Sequence, residues 1–411
     1  MPKQDFKPPK LNRAILALAN ACVSSALRWR QVQGVVTRKE DEALLKSLRC
    51  ERLVLLPNHP TNTEPAVLFT LGDRCGMPFH YVACREAFDC AGGIWGWLIQ
   101  RLGAYSIVRG ALDRQSFNMT KQLLASPGSK VVIFPEGEVY SQNDSLLPFQ
   151  FGVIQLAFWG LEEARKNDPA ADVKLIPVAI RYTFVQDMKK EILDSIERLE
   201  RAVGLRVARE DAEYDRARRV GELVVGKLEQ QFDIKPADGA PLGERMDLVK
   251  HTQLERAADI AKVKLKGGSL PEEMRSVINA VHRVTQDDSA VKTDYDRRLW
   301  EEARSHMQPA LHELDRLANW IAVYDGYVGS NPTPERMVHL LVRMEKEVLG
   351  EVVIRGKQLA HVGIGEPISL ADRLPAYEAD KRATVASVTH EVEASVQGLL
   401  NLLASPSPTR T

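Results

Sequence analysis

The residues of this chain whose types and spacing could do chemistry are His59, Glu64, Arg109 and Glu136. His59 follows the apolar run Leu53-Val54-Leu55-Leu56, which Pro57 and Asn58 bring to an end, so it stands on a turn just beyond a buried strand. An imidazole titrates near neutral pH and works as a base only when its tautomer is fixed. Glu64, on the same turn, is a candidate for fixing it. At about 100° per residue, the step from His59 to Glu64 turns roughly 140° around a helix, so the two can meet only across an irregular turn. Pro60 and Thr61-Asn62-Thr63 suit such a turn. The competing account is a strand-end histidine beside an acid at a helix N-terminus, where the dipole stabilises the acid by about 0.3 to 1 kcal/mol.

Arg109 ends Gly103-Ala104-Tyr105-Ser106-Ile107-Val108-Arg109, where a guanidinium can fork onto phosphate or carboxylate; a surface salt bridge is the alternative. Glu136 closes another apolar run in Phe134-Pro135-Glu136-Gly137-Glu138, with Gly137 permitting close approach of the backbone to a ligand. By itself this stretch also reads as an ordinary strand-to-loop turn. Leu175-Ile176-Pro177-Val178-Ala179 reads as a buried strand.

Those residues need a scaffold that brings strand ends together. From Arg52 to Ile180 short apolar runs alternate with helical segments, the pattern of an α/β fold. Strands are expected over Arg52–Pro57, His80–Ala83, Tyr105–Val108, Lys130–Pro135 and Val173–Ile180. Helices are expected over Glu64–Leu71, Gly93–Arg101, Asp113–Ala125 and Phe151–Arg165. After Arg181 apolar residues recur at helical steps in a charged background: Ile192, Ile196, Leu199 and Val203, then Val220, Leu223, Val224 and Leu228. Further helices are expected over Glu244–Leu265, Pro271–Gln286, Tyr295–Tyr327 and Pro334–Leu349, and strand character returns at Leu359–Ile364. The chain therefore divides into an amino-terminal amphipathic helix and linker (1–50), an α/β core (51–185), a helical insertion (186–350), a return strand and final helix from about Tyr377 to Leu403 (351–404), and a disordered tail (405–411).

Positive and negative charges cancel, 55 against 55, which gives no bulk field for nucleic acid. The cysteines, Cys22, Cys50, Cys75, Cys84 and Cys90, form no C-x-x-C pair and indicate neither a zinc knuckle nor a disulfide framework; a reducing cytosol is the default compartment. No run reaches the roughly 18 apolar residues of a membrane span. Leu11, Ile15, Leu18, Ala19, Cys22, Val23 and Ala26 fall at helical spacing before Arg28-Trp29-Arg30, a segment suited either to a bilayer surface or to packing on the domain. A secretory signal is disfavoured, since no small-residue cleavage site follows a strong apolar stretch.

Taken in order, four stretches resemble the boxes of the glycerolipid acyltransferase superfamily, which includes the acylglycerol-phosphate and glycerol-phosphate acyltransferases. Asn58 to Glu64 is similar to its Asn-His-x-Ser-x-x-Asp box and Gly103 to Arg109 to its Gly-x-x-x-x-x-Arg box. Phe134 to Val139 is similar to Phe-Pro-Glu-Gly-Thr-Arg-Ser, and Ile176 to Val178 to the apolar-Pro-apolar strand. Ile364-Gly365-Glu366-Pro367-Ile368 looks like the closing strand, so the likeness covers Arg52 to Arg181 and the return after Leu359. It implies a mixed sheet flanked by helices, with the helical block as an insertion before the last strand.

The resemblance also implies an O-acyltransferase in phospholipid biosynthesis. His59 would be the general base and Glu64 the group that holds it, with Asn58, Arg109, Glu136 and Gly137 binding substrate. The donor would be acyl-CoA or acyl-ACP, the acceptor a glycerolipid-like alcohol such as lysophosphatidate or glycerol phosphate, and no metal or redox cofactor is implied. The expected location is cytoplasmic, peripheral on the cytoplasmic face of a membrane. Two departures stand out: Glu64 replaces the usual aspartate, and Glu138-Val139 replaces Thr-Arg, which removes a cation and adds an anion. They leave room for a catalytically weak lipid-binding or scaffold protein that recruits a partner through the insertion, and for a thioester hydrolase using the same histidine.

Overall fold

Alternating side chains along two apolar strands set up the sheet. A computed structural model of the chain describes residues 6–108, 113–139, 143–286, 291–330, 332–353 and 355–404. These form two compact units, one drawn from Met1–Tyr182 and Leu359–Thr411, the other from Thr183–Gln286 and Ala290–Gln358.

The first unit begins α1 (Arg13–Trp29), β1 (Val32–Thr37), α2 (Lys39–Ser47), β2 (Arg52–Pro57), α3 (Glu64–Cys75) and β3 (His80–Cys84). It continues α4 (Ile94–Arg101), β4 (Ala104–Ile107), α5 (Arg114–Ala125), β5 (Lys130–Val132), α6 (Phe151–Arg165) and β6 (Val173–Phe184). The second unit holds α7 (Lys189–Val203), α8 (Glu213–Phe232), α9 (Leu242–Ala261), α10 (Leu270–Gln286), α11 (Asp294–His306), α12 (Gln308–Trp320) and α13 (Pro334–Leu349). The chain then returns through β7 (Gln358–Ile364), β8 (Ile368–Ser369), α14 (Leu374–Ala379) and α15 (Lys381–Ala404).

The strands make one mixed sheet of eight in the order β1-β7-β6-β2-β5-β3-β4, with β8 antiparallel to β6. The central strand β2 runs parallel to both neighbours: Val54 pairs with Val131 of β5 and with Leu175 of β6. Because successive side chains point to opposite faces, Leu53 and Leu55 join one core with Val67, Leu68 and Leu71 of α3, together with Ile176, Val178, Ile180 and Tyr182 of β6. Val54 and Leu56 join the opposite core with Leu124, Phe158, Leu161, Leu175, Ala179 and the α15 residues Val388, Val392 and Val396. Burial on both faces is why residues 53–57 of β2 and 175–180 of β6 read as unbroken apolar runs.

In the second unit, Ile192, Ile196, Leu199, Val220, Val224 and Leu228 form the expected buried stripes, but Leu223 faces out, 39% exposed. A fully buried pair, Arg216 on Glu200, joins α8 to α7 through hydrogen bonds of 3.0 and 2.7 Å.

Several expectations need correction. Residues 32–47, read as linker, form an edge strand and a helix. β5 stops at Val132, before the Phe134-Pro135 turn, while β6 runs on to Phe184. The helix expected over Tyr295–Tyr327 is two, divided at Met307, because Pro309 has no N–H to donate and fits only the first turn of α12. The final helix is also divided, at Asp380. The tail expected at 405–411 lies outside the described residues.

Candidate active site

The parallel order β6-β2-β5 places the carboxyl ends of three strands side by side, the usual position for a ligand crevice in such sheets. The turn after β2 carries Asn58 and His59, the turn after β5 carries Glu136, and the end of β6 carries Tyr182.

His59 and Glu64 meet. His59 Nδ1 lies 2.6 Å from Glu64 Oε2 across an irregular turn, with Glu64 as the first residue of α3 and 0% exposed. The remaining acceptor positions of the carboxylate are also filled. Thr61 N–H donates to Oε2 at 3.1 Å, Thr61 Oγ1 to Oε1 at 2.6 Å, and the Tyr182 hydroxyl to Oε1 at 2.6 Å. A buried carboxylate costs several kcal/mol unless it is hydrogen-bonded, and this one is bonded on both oxygens. The longer glutamate therefore meets His59 as the first residue of its helix, with its head held by Thr61 and Tyr182. Thr63 Oγ1 hydrogen-bonds Thr61 Oγ1 and lies 3.2 Å from the Tyr182 hydroxyl, which closes the cluster. Burial, and next the neighbouring Glu64 carboxylate, push the Tyr182 phenol well above its ordinary range, so it stays a donor.

The His59 ring stacks on Phe134 with centroids 4.1 Å apart and an interplanar angle of 23°. Its side chain is 15% exposed. With Nδ1 on Glu64, Nε2 is the nitrogen left to exchange a proton with a ligand.

Asn58 is buried and its amide is engaged on both sides by one backbone unit. Nδ2 donates to Ile180 O at 2.9 Å and Oδ1 accepts from Ile180 N at 2.7 Å. The side chain thus extends the β2–β6 ladder one step beyond the Pro57–Val178 pair. Asn143 repeats the device on Tyr182, with 2.7 Å bonds to its O and N.

Glu136 is also buried, and it accepts from the backbone N–H of His59 at 2.8 Å and of Leu147 at 3.0 Å. Burial raises its carboxyl to about 7, against the opposing pull of those two N–H donors. Gly137 has a left-handed φ of +77°, which favours glycine, and an added Cβ would sit 1.7 Å from Gln150 Nε2, so that flexible side chain would have to move. Arg109 lies outside the described residues; β4, the strand before it, is an edge strand of the sheet. Among the described residues no group of three or more His, Cys, Asp or Glu side chains is arranged to hold a metal ion.

Sequence reasoning missed Tyr182 and the roles of Thr61, Thr63, Phe134 and Asn143. Tyr182 could have been found by counting on from Ile180, since two steps along a strand return to the same face. The hydroxyls of Thr61 and Thr63 stand where short polar side chains commonly satisfy a helix N-terminus. A family model described as Acyltransferase matches residues 38–181. A search of curated proteins finds no match to the chain.

Proposed function

Given that residues 38–181 are an acyltransferase domain of the glycerolipid acyltransferase superfamily, we propose that the chain transfers a fatty acyl group from a thioester to a hydroxyl of a glycerolipid-like acceptor. The observation that carries this reading is the 2.6 Å contact between His59 Nδ1 and the fully bonded Glu64 carboxylate. With Glu64 ionised, Nδ1 carries the proton and Nε2 presents a lone pair. His59 Nε2 removes the proton of the acceptor hydroxyl as its oxygen attacks the thioester carbonyl. The tetrahedral oxyanion collapses, the carbon–sulfur bond breaks, and the imidazolium returns the proton to the departing thiolate. Glu64 stabilises the transient positive charge on the ring, the part played by the acid of a Ser-His-Asp triad, with the acceptor hydroxyl standing in for the serine.

Glu136 acts on this centre through the backbone, holding the His59 N–H from the neighbouring strand end. Glu138, in place of the threonine of the family box, makes a doubly charged phosphomonoester head group less favoured than a neutral or singly charged polar head. Acyl-CoA and acyl-ACP both fit the chemistry as donors.

A peripheral membrane contact belongs to the same reading. α1 buries only Leu27, leaving Leu18 66% and Trp29 81% exposed, while α4 exposes Ile94 at 73% and Trp95 and Trp97 at about half. Backbone bonds from Lys10 to Gln100 and from Asn12 to Arg101 join the two segments. Aromatic and aliphatic side chains beside Arg28, Arg30 and Arg101 suit an anionic lipid interface. Among the described residues no helix is long and apolar enough to cross a membrane.

The test is release of free thiol from an acyl thioester by purified protein. Release that requires an added lysolipid or other alcohol acceptor, and that His59→Ala abolishes, supports transfer. Acceptor-independent release indicates a hydrolase, and equal release by wild type and His59→Ala removes His59 from the chemistry.

A further inference from the structure

The helical unit contains a crevice that the acyl-transfer site does not use. It is lined by one face of α8 and one face of α9, and closed by the end of α12, the segment after it, and α13. Its empty volume is about 680 Å³, mouth included. Its wall is mostly aliphatic and aromatic, with Val224, Val249 and Leu340 among the lining residues, and the ion-paired Arg218 and Asp325 also line it.

Two polar groups interrupt that wall without partners. Gln253 is 1% exposed, lines the crevice, and has neither its Nε2 donor nor its Oε1 acceptor satisfied. Trp320 is 8% exposed, lines the same space, and has its indole Nε1–H unpaired. Buried polar groups in folded proteins are nearly always paired, so a carboxamide orphaned on both atoms beside an apolar crevice is a position that a ligand or a water completes. Lys250, also on the wall, differs: its Nζ is held by Val323 O at 2.8 Å and Asp247 Oδ1 at 3.0 Å.

We propose that this crevice binds an aliphatic alcohol or fatty acid, its chain along the apolar wall and its hydroxyl or carboxyl group on the Gln253 carboxamide. A group that both donates and accepts is required, since Gln253 offers an unpaired donor and an unpaired acceptor. A protonated carboxyl and an alcohol share that property; an ether or an alkane lacks the donor. The site is independent of the reading of His59.

The test is isothermal titration of the full chain with octanol, octanoic acid and the methyl ether of octanol, in wild type, Gly221→Leu and Gln253→Leu. Gly221 lines the crevice on α8, and an added Cβ there meets nothing within 4 Å, so leucine enters the space without a backbone clash and favours the helix. Gln253→Leu removes the orphaned amide, and thermal melting of both variants checks that they fold. The expected result is saturable binding of one octanol or octanoic acid per wild-type chain, weakened about tenfold or more in both variants, with the ether weaker than the alcohol. Absence of saturable binding to wild type, leaving Gln253 to water alone, overturns the proposal. So does equal affinity in the three proteins, or binding lost in Gly221→Leu but kept in Gln253→Leu.

Discussion

The Tyr182 hydroxyl donates a 2.6 Å hydrogen bond to Glu64 Oε1, on the carboxylate whose other oxygen meets His59 Nδ1. This link ties the end of β6 to the first residue of α3 and fixes the direction in which Glu64 can point. Tyr182→Phe keeps the packed ring and removes only the donor. One buried acceptor position is then left open, which should cost about 1 to 2 kcal/mol of stability. On the proposed mechanism kcat should fall roughly tenfold with little change in KM, since the bond acts on the orientation of the base and not on ground-state binding. Urea denaturation and steady-state thiol release measure the two effects.

Glu64→Asp restores the residue usual in the family yet should impair this chain. Thr61 and Tyr182 grip the glutamate head at its present reach, and a side chain one methylene shorter at the start of α3 cannot keep those bonds and the His59 contact together. A loss of about ten- to a hundredfold in kcat/KM is expected, in line with the sensitivity of catalysis to small misplacement. Activity at or above wild type for Glu64→Asp would show that the grip does not position the histidine.

The pH dependence of stability should carry the signature of Glu136. Its carboxyl is raised from 4.5 to about 7 by burial, so the folded state holds this proton more tightly than the unfolded chain. The corresponding stability is fully present below the ordinary carboxylate value and is lost as pH rises towards 7, amounting to about 3 kcal/mol across that window. Glu136→Gln cannot titrate, so its unfolding free energy should fall less steeply than that of wild type between those limits. Parallel slopes in denaturant titrations at a series of pH values would contradict the assignment.

A membrane-binding role for α4 predicts that the triple variant Ile94→Ser, Trp95→Ser, Trp97→Ser loses co-sedimentation with anionic liposomes. Its melting temperature should change little, because these side chains are already about half exposed or more. Unchanged sedimentation would exclude this surface from lipid contact.

What could be seen in the sequence was whatever a short window encodes. The central strands β2 and β6 carry continuous apolar runs, residues 53–57 and 175–180, and the His59 turn announces itself through Pro57, Asn58 and Pro60. Hidden were interactions whose partners are distant backbone groups: Asn58 with Ile180, Glu136 with the His59 N–H, Asn143 with Tyr182. Backbone atoms carry no sequence signal, so a residue built to bind them looks the same as one built to bind a ligand. β1 was hidden differently, since Gln33 and Gly34 break its apolar run and an edge strand is buried on few sides.

Asn58 offers the sharpest separation of these two roles. Its carboxamide both donates to and accepts from Ile180, so Asn58→Asp keeps the size and the acceptor but sets a carboxylate oxygen against the Ile180 carbonyl. At neutral pH this should cost about 3 kcal/mol, a buried charge facing an acceptor. In acid the aspartate gains a proton and can donate again, so the deficit relative to wild type should shrink as pH falls. A residue that bound substrate through its amide would instead give a variant of near-normal stability, with the loss confined to KM. Unfolding free energies of both proteins at neutral and acidic pH, read beside KM, distinguish the two.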